Sequence, residues 1–377
     1  MNIQMLNLQR QYQYMKNDID QAIKKCFEHQ LWILGPEVKE FEEKCSEFFK
    51  VKNCISCSSG TDAIVLALRA LAIKNGKEFF SPEDEIITTP FTFTATGDAI
   101  LRAGATPVFV DIDPTSFNIN PNSILKYLKN KNNVKGIIPV HLYGTPCNMD
   151  AIMEIARKYN LFVLEDVAQA FGGAWKNKKL GTFGNAAALS FFPSKNLGGY
   201  GDGGMVITDD NDIAEIVRYL TKHGGKDKYN VDHIGYNARL DTIQAAILLA
   251  KLRYVEDFNW RRLSIAQRYS ESFKSMTELE IPIMIEGCVF HQYTIRVKNG
   301  KRNSLQEFLK QKSISTMVYY PLCLHKMKVF EGRSKVPEIP EKAEKASQEV
   351  LSLPIEPLMT TEEQDYVIKS VIEFLKK

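Results

Sequence analysis

Between about residue 50 and residue 165 the chain alternates short apolar, β-rich runs with stretches of helical periodicity, and this alternation limits the fold more than any other feature. The runs fall at 53–58, 85–89, 106–111, 134–142 and 161–164, and the helical stretches include 62–73, 122–129 and 150–159. Strands interleaved with helices build a mostly parallel sheet covered by helices on both faces. Such sheets take ligands at the carboxyl ends of their strands. The polar residues that close each run are therefore the first place to look for chemistry. From 241 to 275 there is neither glycine nor proline, which predicts one long helix. Beyond about 281 the elements are shorter and mixed, with a strand in FHQYTIRVKN and a helix over 304–312. We expect a large α/β domain at residues 1–245, including a helical amino-terminal segment, and a smaller α+β domain at 246–377.

The 377 residues exceed what a single core comfortably buries, which agrees with two lobes. Hydrophobic residues make up 44% and charged residues 25%, the balance of an ordinary globular chain. The net charge is +3, and like charges cluster only in short runs such as 176–179, which argues against nucleic acid as a partner. The amino terminus lacks an apolar stretch of signal-peptide length, and no segment approaches the roughly 20 apolar residues that span a bilayer. A cytoplasmic protein without a membrane partner is expected. The seven cysteines read as small core residues in a reducing compartment. Cys54 and Cys57 form a lone CxxC inside an apolar run, with no second pair to complete a zinc site, so no metal is expected.

Three places carry candidate chemistry, each with a plainer alternative. At Ser58-Ser59-Gly60-Thr61-Asp62-Ala63 a strand ends in small residues and an apolar helix begins. Its free N–H groups suit a phosphate, although a simple helix cap reads the same way. Glu165-Asp166 follows an apolar run and sets a carboxylate at the mouth of the sheet, where it could instead only cap a helix. Ser190-Phe191-Phe192-Pro193-Ser194-Lys195 precedes the glycine-rich Gly198-Gly199-Tyr200-Gly201-Asp202-Gly203-Gly204. A lysine so placed can project into a closed site, where desolvation frees its amine as a nucleophile. The glycine run opens no helix and is a poor dinucleotide fingerprint. Order strengthens all three: a phosphate cradle, then a strand-end acid, then a lysine in a loop of small residues.

That set resembles the fold type I pyridoxal-phosphate (PLP) enzymes. More narrowly, LGPEVKEFEEK, SSGTDA, TTPFTFTAT, GATPVFVDIDP, VHLYG, EDVAQAFG, SFFPSKNLGGYGDGG, GYNARLDTIQAAILLAKL and VYYPLCLH together resemble the DegT/StrS family of sugar aminotransferases. The resemblance implies a large domain built on a mostly parallel seven-stranded sheet. It implies that Lys195 holds PLP as a Schiff base and, once freed, moves protons; that Asp166 faces the pyridine nitrogen; that Gln169 bonds the phenolic oxygen; and that Phe93 stacks on the ring. Phosphate contacts would come from Gly60, Thr61 and Ser190, with Asn237 reaching the phosphate of a neighbouring subunit in a homodimer. Arg239, Tyr320 and His325 become candidates for binding the sugar nucleotide. Relatives that dehydrate their sugar have histidine where Lys195 stands here, so transamination is implied. An amino acid such as L-glutamate would convert PLP to pyridoxamine phosphate, which would then aminate a nucleotide-linked keto sugar destined for a surface glycan. The motif wording favours C3 of a UDP-linked 2-acetamido-3-keto sugar over C4 of a UDP- or dTDP-linked deoxysugar. A regulator that keeps the fold would need a DNA-binding module for which the chain has no spare length. The segment 72–82 is longer than the turn expected there.

Overall fold

The computed structural model describes residues 1–129, 131–227 and 229–376. The predicted apolar runs become strands β1 (Asn53–Cys57), β2 (Glu85–Thr88), β3 (Thr106–Phe109), β4 (Val134–Ile137) and β5 (Phe162–Asp166). A small hairpin follows, β6 (Ala174–Trp175) and β7 (Lys178–Lys179), and then β8 (Ala186–Ser190) and β9 (Gly204–Thr208). Seven of these form one sheet in the order β1-β9-β8-β5-β4-β2-β3. Only β9 runs against its neighbours, β1 and β8; the remaining pairs are parallel. Ile86, Ile87, Val163, Leu164, Ala187 and Leu189 are fully buried, which is why these strands read as continuous apolar runs and not as alternating ones.

Helices α1 (Leu8–His29), α2 (Pro36–Phe49), α3 (Gly60–Lys74), α4 (Thr94–Arg102), α5 (Pro121–Leu128), α6 (Met149–Tyr159) and α7 (Asn211–Leu220) surround the sheet. In α3 every residue from Ala63 to Ala72 is buried, Arg69 included, because the helix lies between the sheet and α4 and α7. The Arg69 guanidinium is satisfied by the Glu78 carboxylate at 2.6 Å, the Glu78 and Ile234 carbonyls and the Tyr236 hydroxyl. Glu78 also meets His233 at 2.8 Å and accepts from the Ile234 N–H. The long segment 72–82 thus ties α3 to the stretch just before Asn237.

The predicted helix over 241–275 is two helices, α8 (Thr242–Leu252) and α9 (Val255–Phe273). The break at Arg253 and Tyr254 carries no glycine or proline and is set by packing alone. Buried α8 residues face α1 and α2, whereas the second half of α9, from Ile265 to Phe273, joins another core. That core is completed by an antiparallel sheet of β10 (Leu279–Glu280), β11 (Tyr293–Val297) and β12 (Val350–Leu353). Helices α10 (Arg302–Gln311) and α12 (Thr361–Leu375) pack on it, and α11 (Glu341–Glu349) precedes β12. A division at 245/246 would cut α8 in half; the chain leaves the first core along α9 instead. Ile3 lies in the second core, exchanging backbone hydrogen bonds with Ser313 and Ser315, so the chain start is stitched to the carboxyl-terminal lobe. All seven cysteines are buried and unpaired, with Cys54 and Cys57 in the cores on opposite faces of the sheet.

Candidate active site

The carboxyl ends of β1, β5 and β8 and the start of α3 open on a cavity of about 480 Å³. It is lined by Gly60, Thr61, Phe93, Asp166, Gln169, Ser190, Lys195 and Tyr320, among others. A larger groove of about 860 Å³ lies elsewhere, but its lysines are surface cations, two of them in ion pairs, Lys126 with Glu338 and Lys335 with Glu85.

The adjacent acids Glu165 and Asp166 leave β5 on opposite sides. Glu165 is fully buried and accepts from the N–H groups of Gly181, Phe183 and Gly184 at 2.7–2.9 Å and from His141 at 3.2 Å. It fastens the turn before β8. Asp166 faces the cavity, accepting from the Thr96 hydroxyl at 2.9 Å and the Ala168 N–H at 3.1 Å. Burial pushes its carboxyl above the ordinary range, against the two hydrogen bonds and the Lys195 charge that favour ionisation. A buried acid with two donors and, among the described residues, no ion-pair partner suits a cationic ring nitrogen.

Lys195 follows the turn after β8. Burial holds its amine down to about 8, with Asp166 acting in the other direction. A lysine so lowered is a usable nucleophile near neutral pH. Uptake of pyridoxal phosphate by cofactor-free protein, followed by visible absorbance, should therefore rise about tenfold from pH 7 to 9 and then level. A rate that keeps climbing past pH 10 would mean an ordinary lysine.

The cradle at the start of α3 is built by contact. Ser59 caps the helix, its hydroxyl accepting from the Asp62 N–H at 3.0 Å. Gly60 lies so close to β8 that a Cβ there would come within 2.5 Å of the Ser190 Cβ. The glycine brings the helix terminus, with its unpaired N–H groups, beside the Ser190 hydroxyl. Across the cavity Phe93 is 56% exposed, a large cost for an aromatic unless something flat covers it. The Tyr320 ring lies 6.2 Å from it. Gln169 accepts from the Tyr143 N–H at 2.7 Å and donates to the Tyr320 hydroxyl at 3.0 Å, so its orientation is fixed.

Three predicted residues lie outside this lining. His325 pairs with Glu344 at 3.0 Å. Asn237 is exposed and accepts from Arg239, whose Nε is buried without a partner. The lining residues that the sequence reading did not single out include Thr96, His291 and Gln292. Thr96 sits one turn beyond Phe93 in TTPFTFTAT, a spacing that could have marked it. His291 and Gln292 are the two polar residues that interrupt VFHQYTI.

At the junction of α1 and α2, Cys26, His29 and Glu37 have ligand-type atoms within 4.8 Å of one another. His29 Nδ1 accepts from the Leu31 N–H at 3.0 Å, so Nε2 carries the proton it shares with Glu37. No lone pair of that ring is left for a metal.

Residues 13–372 match the DegT/DnrJ/EryC1/StrS aminotransferase family. The chain belongs to that family. It is 45% identical, over 100% of its length and 99% of the relative, to a "Pleiotropic regulatory protein" of Geobacillus stearothermophilus. It is 39% identical, over 95% and 96%, to the UDP-2-acetamido-2-deoxy-3-oxo-D-glucuronate aminotransferase of Pseudomonas aeruginosa. The crystal structure of S. venezuelae DesV in complex with a ketimine intermediate superposes with a TM-score of 0.94 at 32% identity, covering 100% of this chain and 99% of that one. This member of the DegT/DnrJ/EryC1/StrS family is a PLP-dependent nucleotide-sugar transaminase. Asp166, Lys195, the Gly60 cradle and the uncovered Phe93 fit that cofactor. Bound here, PLP supplies the electron sink that lets a proton leave the carbon bearing the amino group. Asp166 would keep the ring nitrogen protonated, and the Lys195 amine would carry the proton between substrate carbon and cofactor.

Proposed function

We propose that this transaminase moves an amino group from L-glutamate to C3 of a UDP-linked 2-acetamido-3-keto sugar, for a surface glycan. The observation that carries the position and the nucleotide is the match over nearly the whole chain to a relative named for a UDP-linked 3-oxo sugar. The motifs SSGTDA, TTPFTFTAT, SFFPSK and YGDGG point the same way. The name of the Geobacillus relative raises a regulatory reading, which the lowered Lys195 and the acid beneath it argue against, since a regulator needs neither. The test is to isolate the pyridoxamine form and offer it UDP- and dTDP-linked 3-keto and 4-keto sugars. Return of the PLP absorbance is expected with a UDP-linked 3-keto sugar; return with only a 4-keto sugar would move the reaction to C4.

We read the working unit as a homodimer that shares its sites, with Asn237 reaching the partner's phosphate and Arg239 the partner's sugar nucleotide. Exposure of Asn237 and the unpaired Arg239 Nε support that reading. Asn237→Ala should weaken cofactor retention about tenfold, the loss of one hydrogen bond to a charged group. A monomer that keeps full activity would end the shared-site reading. No helix among the described residues is long and apolar enough to cross a membrane, and the free thiols agree with a cytoplasmic enzyme.

A further inference from the structure

His291 and Gln292 enter the cavity from the segment before β11, which is fixed to the large domain. The Val289 N–H donates to the Gly144 carbonyl at 3.0 Å and the Gln292 N–H to the Tyr143 carbonyl at 3.3 Å. A Cβ on Gly144, whose φ is +87°, would come within 2.8 Å of the His291 nitrogen, so only glycine permits this approach.

A chain of hydrogen bonds sets the protonation of His291. Asn259 must donate from Nδ2 to the Phe171 carbonyl at 3.0 Å, which turns its Oδ1 toward Asn196. Asn196 donates from Nδ2 to that oxygen at 2.7 Å and to the Val289 carbonyl at 3.2 Å, leaving its own Oδ1 for His291 at 3.0 Å. His291 must therefore donate from Nδ1, and its Nε2 is a lone-pair acceptor with no partner in the described chain. Burial and the nearby Lys195 and Arg262 charges keep the ring neutral. Gln292 is 8% exposed and its Oε1 is buried without a hydrogen bond. An unmet buried amide is unfavourable, and a ligand that pairs with it would relieve that cost.

The cavity wall also limits what that ligand is. Among the described residues that line it, Lys195 is the only cationic side chain, and no arginine is present. A neutral acceptor beside a carboxamide instead matches hydroxyl or acetamido groups, which both donate and accept.

We propose that His291 Nε2 and the Gln292 carboxamide read the hydroxyl and amide groups of the sugar ring during its amination, and so decide which keto sugar is accepted. The assignment rests on the nucleotide-sugar reading of this cavity. It is tested on cofactor-loaded enzyme by following each half of the reaction separately through the cofactor absorbance. Gln292→Met removes the polar atoms at similar volume. His291→Asn keeps a donor toward Asn196 but deletes Nε2. Each variant should load cofactor and react with L-glutamate within about twofold of the parent, while the apparent Kd for the keto sugar rises at least about tenfold, as for one lost hydrogen bond. Equal slowing of both halves, or an unchanged sugar Kd, overturns the proposal. Should Gln292→Met not fold, Gln292→Leu, which also removes the carboxamide without adding charge, carries the same expectation and the same overturning result. A parent enzyme that reacts with L-glutamate but with no keto sugar would overturn the substrate reading itself. A parent that aminates a sugar which Gln292→Met binds equally well overturns only this inference.

Discussion

Replacing Lys195 with alanine is expected to lower turnover by at least about three orders of magnitude and to abolish the visible absorbance of the cofactor-loaded protein. The size follows from the residue's two tasks. It is the covalent tether of the cofactor and, once released, the base that moves the proton; general acid–base catalysis alone contributes about 10² to 10⁴-fold. No neighbour can take over. Among the described residues Lys195 is the only lysine lining the cavity, and Lys251, also buried and lowered to about 8, donates to the Gly198 carbonyl instead. Circular dichroism of Lys195→Ala should match the parent, because among the described residues no hydrogen bond or ion pair engages its amine. A coloured variant that still turns over would remove Lys195 from the chemistry.

Asp166→Asn is the second large effect. The amide keeps the shape of the carboxylate; its single oxygen can still accept from the Ala168 N–H, and the Thr96 hydroxyl, which donates to the other carboxylate oxygen, can turn to accept from the new NH2, so cofactor binding should survive with at most a few-fold loss. What disappears is the negative charge opposite the ring nitrogen. Without it the ring is a weaker electron sink, and removal of the substrate proton should slow by about 10² to 10³-fold, the range seen when one preorganised electrostatic partner is deleted. A deuterium isotope effect on the donor half of the reaction should grow in this variant as proton removal becomes fully limiting. Turnover near the parent value would show that Asp166 only caps the segment after β5. Thr96→Val should give a smaller effect in the same direction, since it removes one donor to that carboxylate.

How much of this was legible in the sequence depended on how local each signal was. Asp166, Lys195 and the Gly60–Thr61 cradle each lie where an apolar strand gives way to a short polar or glycine-rich turn, and strand ends are where a parallel sheet binds. Glu165 and Asp166 were separated only by the family resemblance and not by local pattern, because which acid faces the cavity is decided by the N–H groups of Gly181, Phe183 and Gly184, residues that fold back onto the strand. The break between α8 and α9 has no proline or glycine to announce it and comes from two cores pulling one apolar stretch apart. His291 and Gln292 reach the cavity only because their segment bonds to Tyr143 and Gly144, far away in the chain. His325, suggested by its motif, is held off the cavity by Glu344, a pairing that neighbouring sequence does not reveal.

The central claim is that Lys195 carries the cofactor, and the most direct measurement is chemical. The coloured protein is reduced with borohydride, digested, and the peptide bearing the pyridoxyl mass is sequenced. The label is expected on the Lys195 side chain within SFFPSKNLGGYGDGG, and to disappear when the enzyme is first converted to its pyridoxamine form with L-glutamate. A label on any other lysine, or a loaded enzyme that borohydride leaves unlabelled, would contradict it.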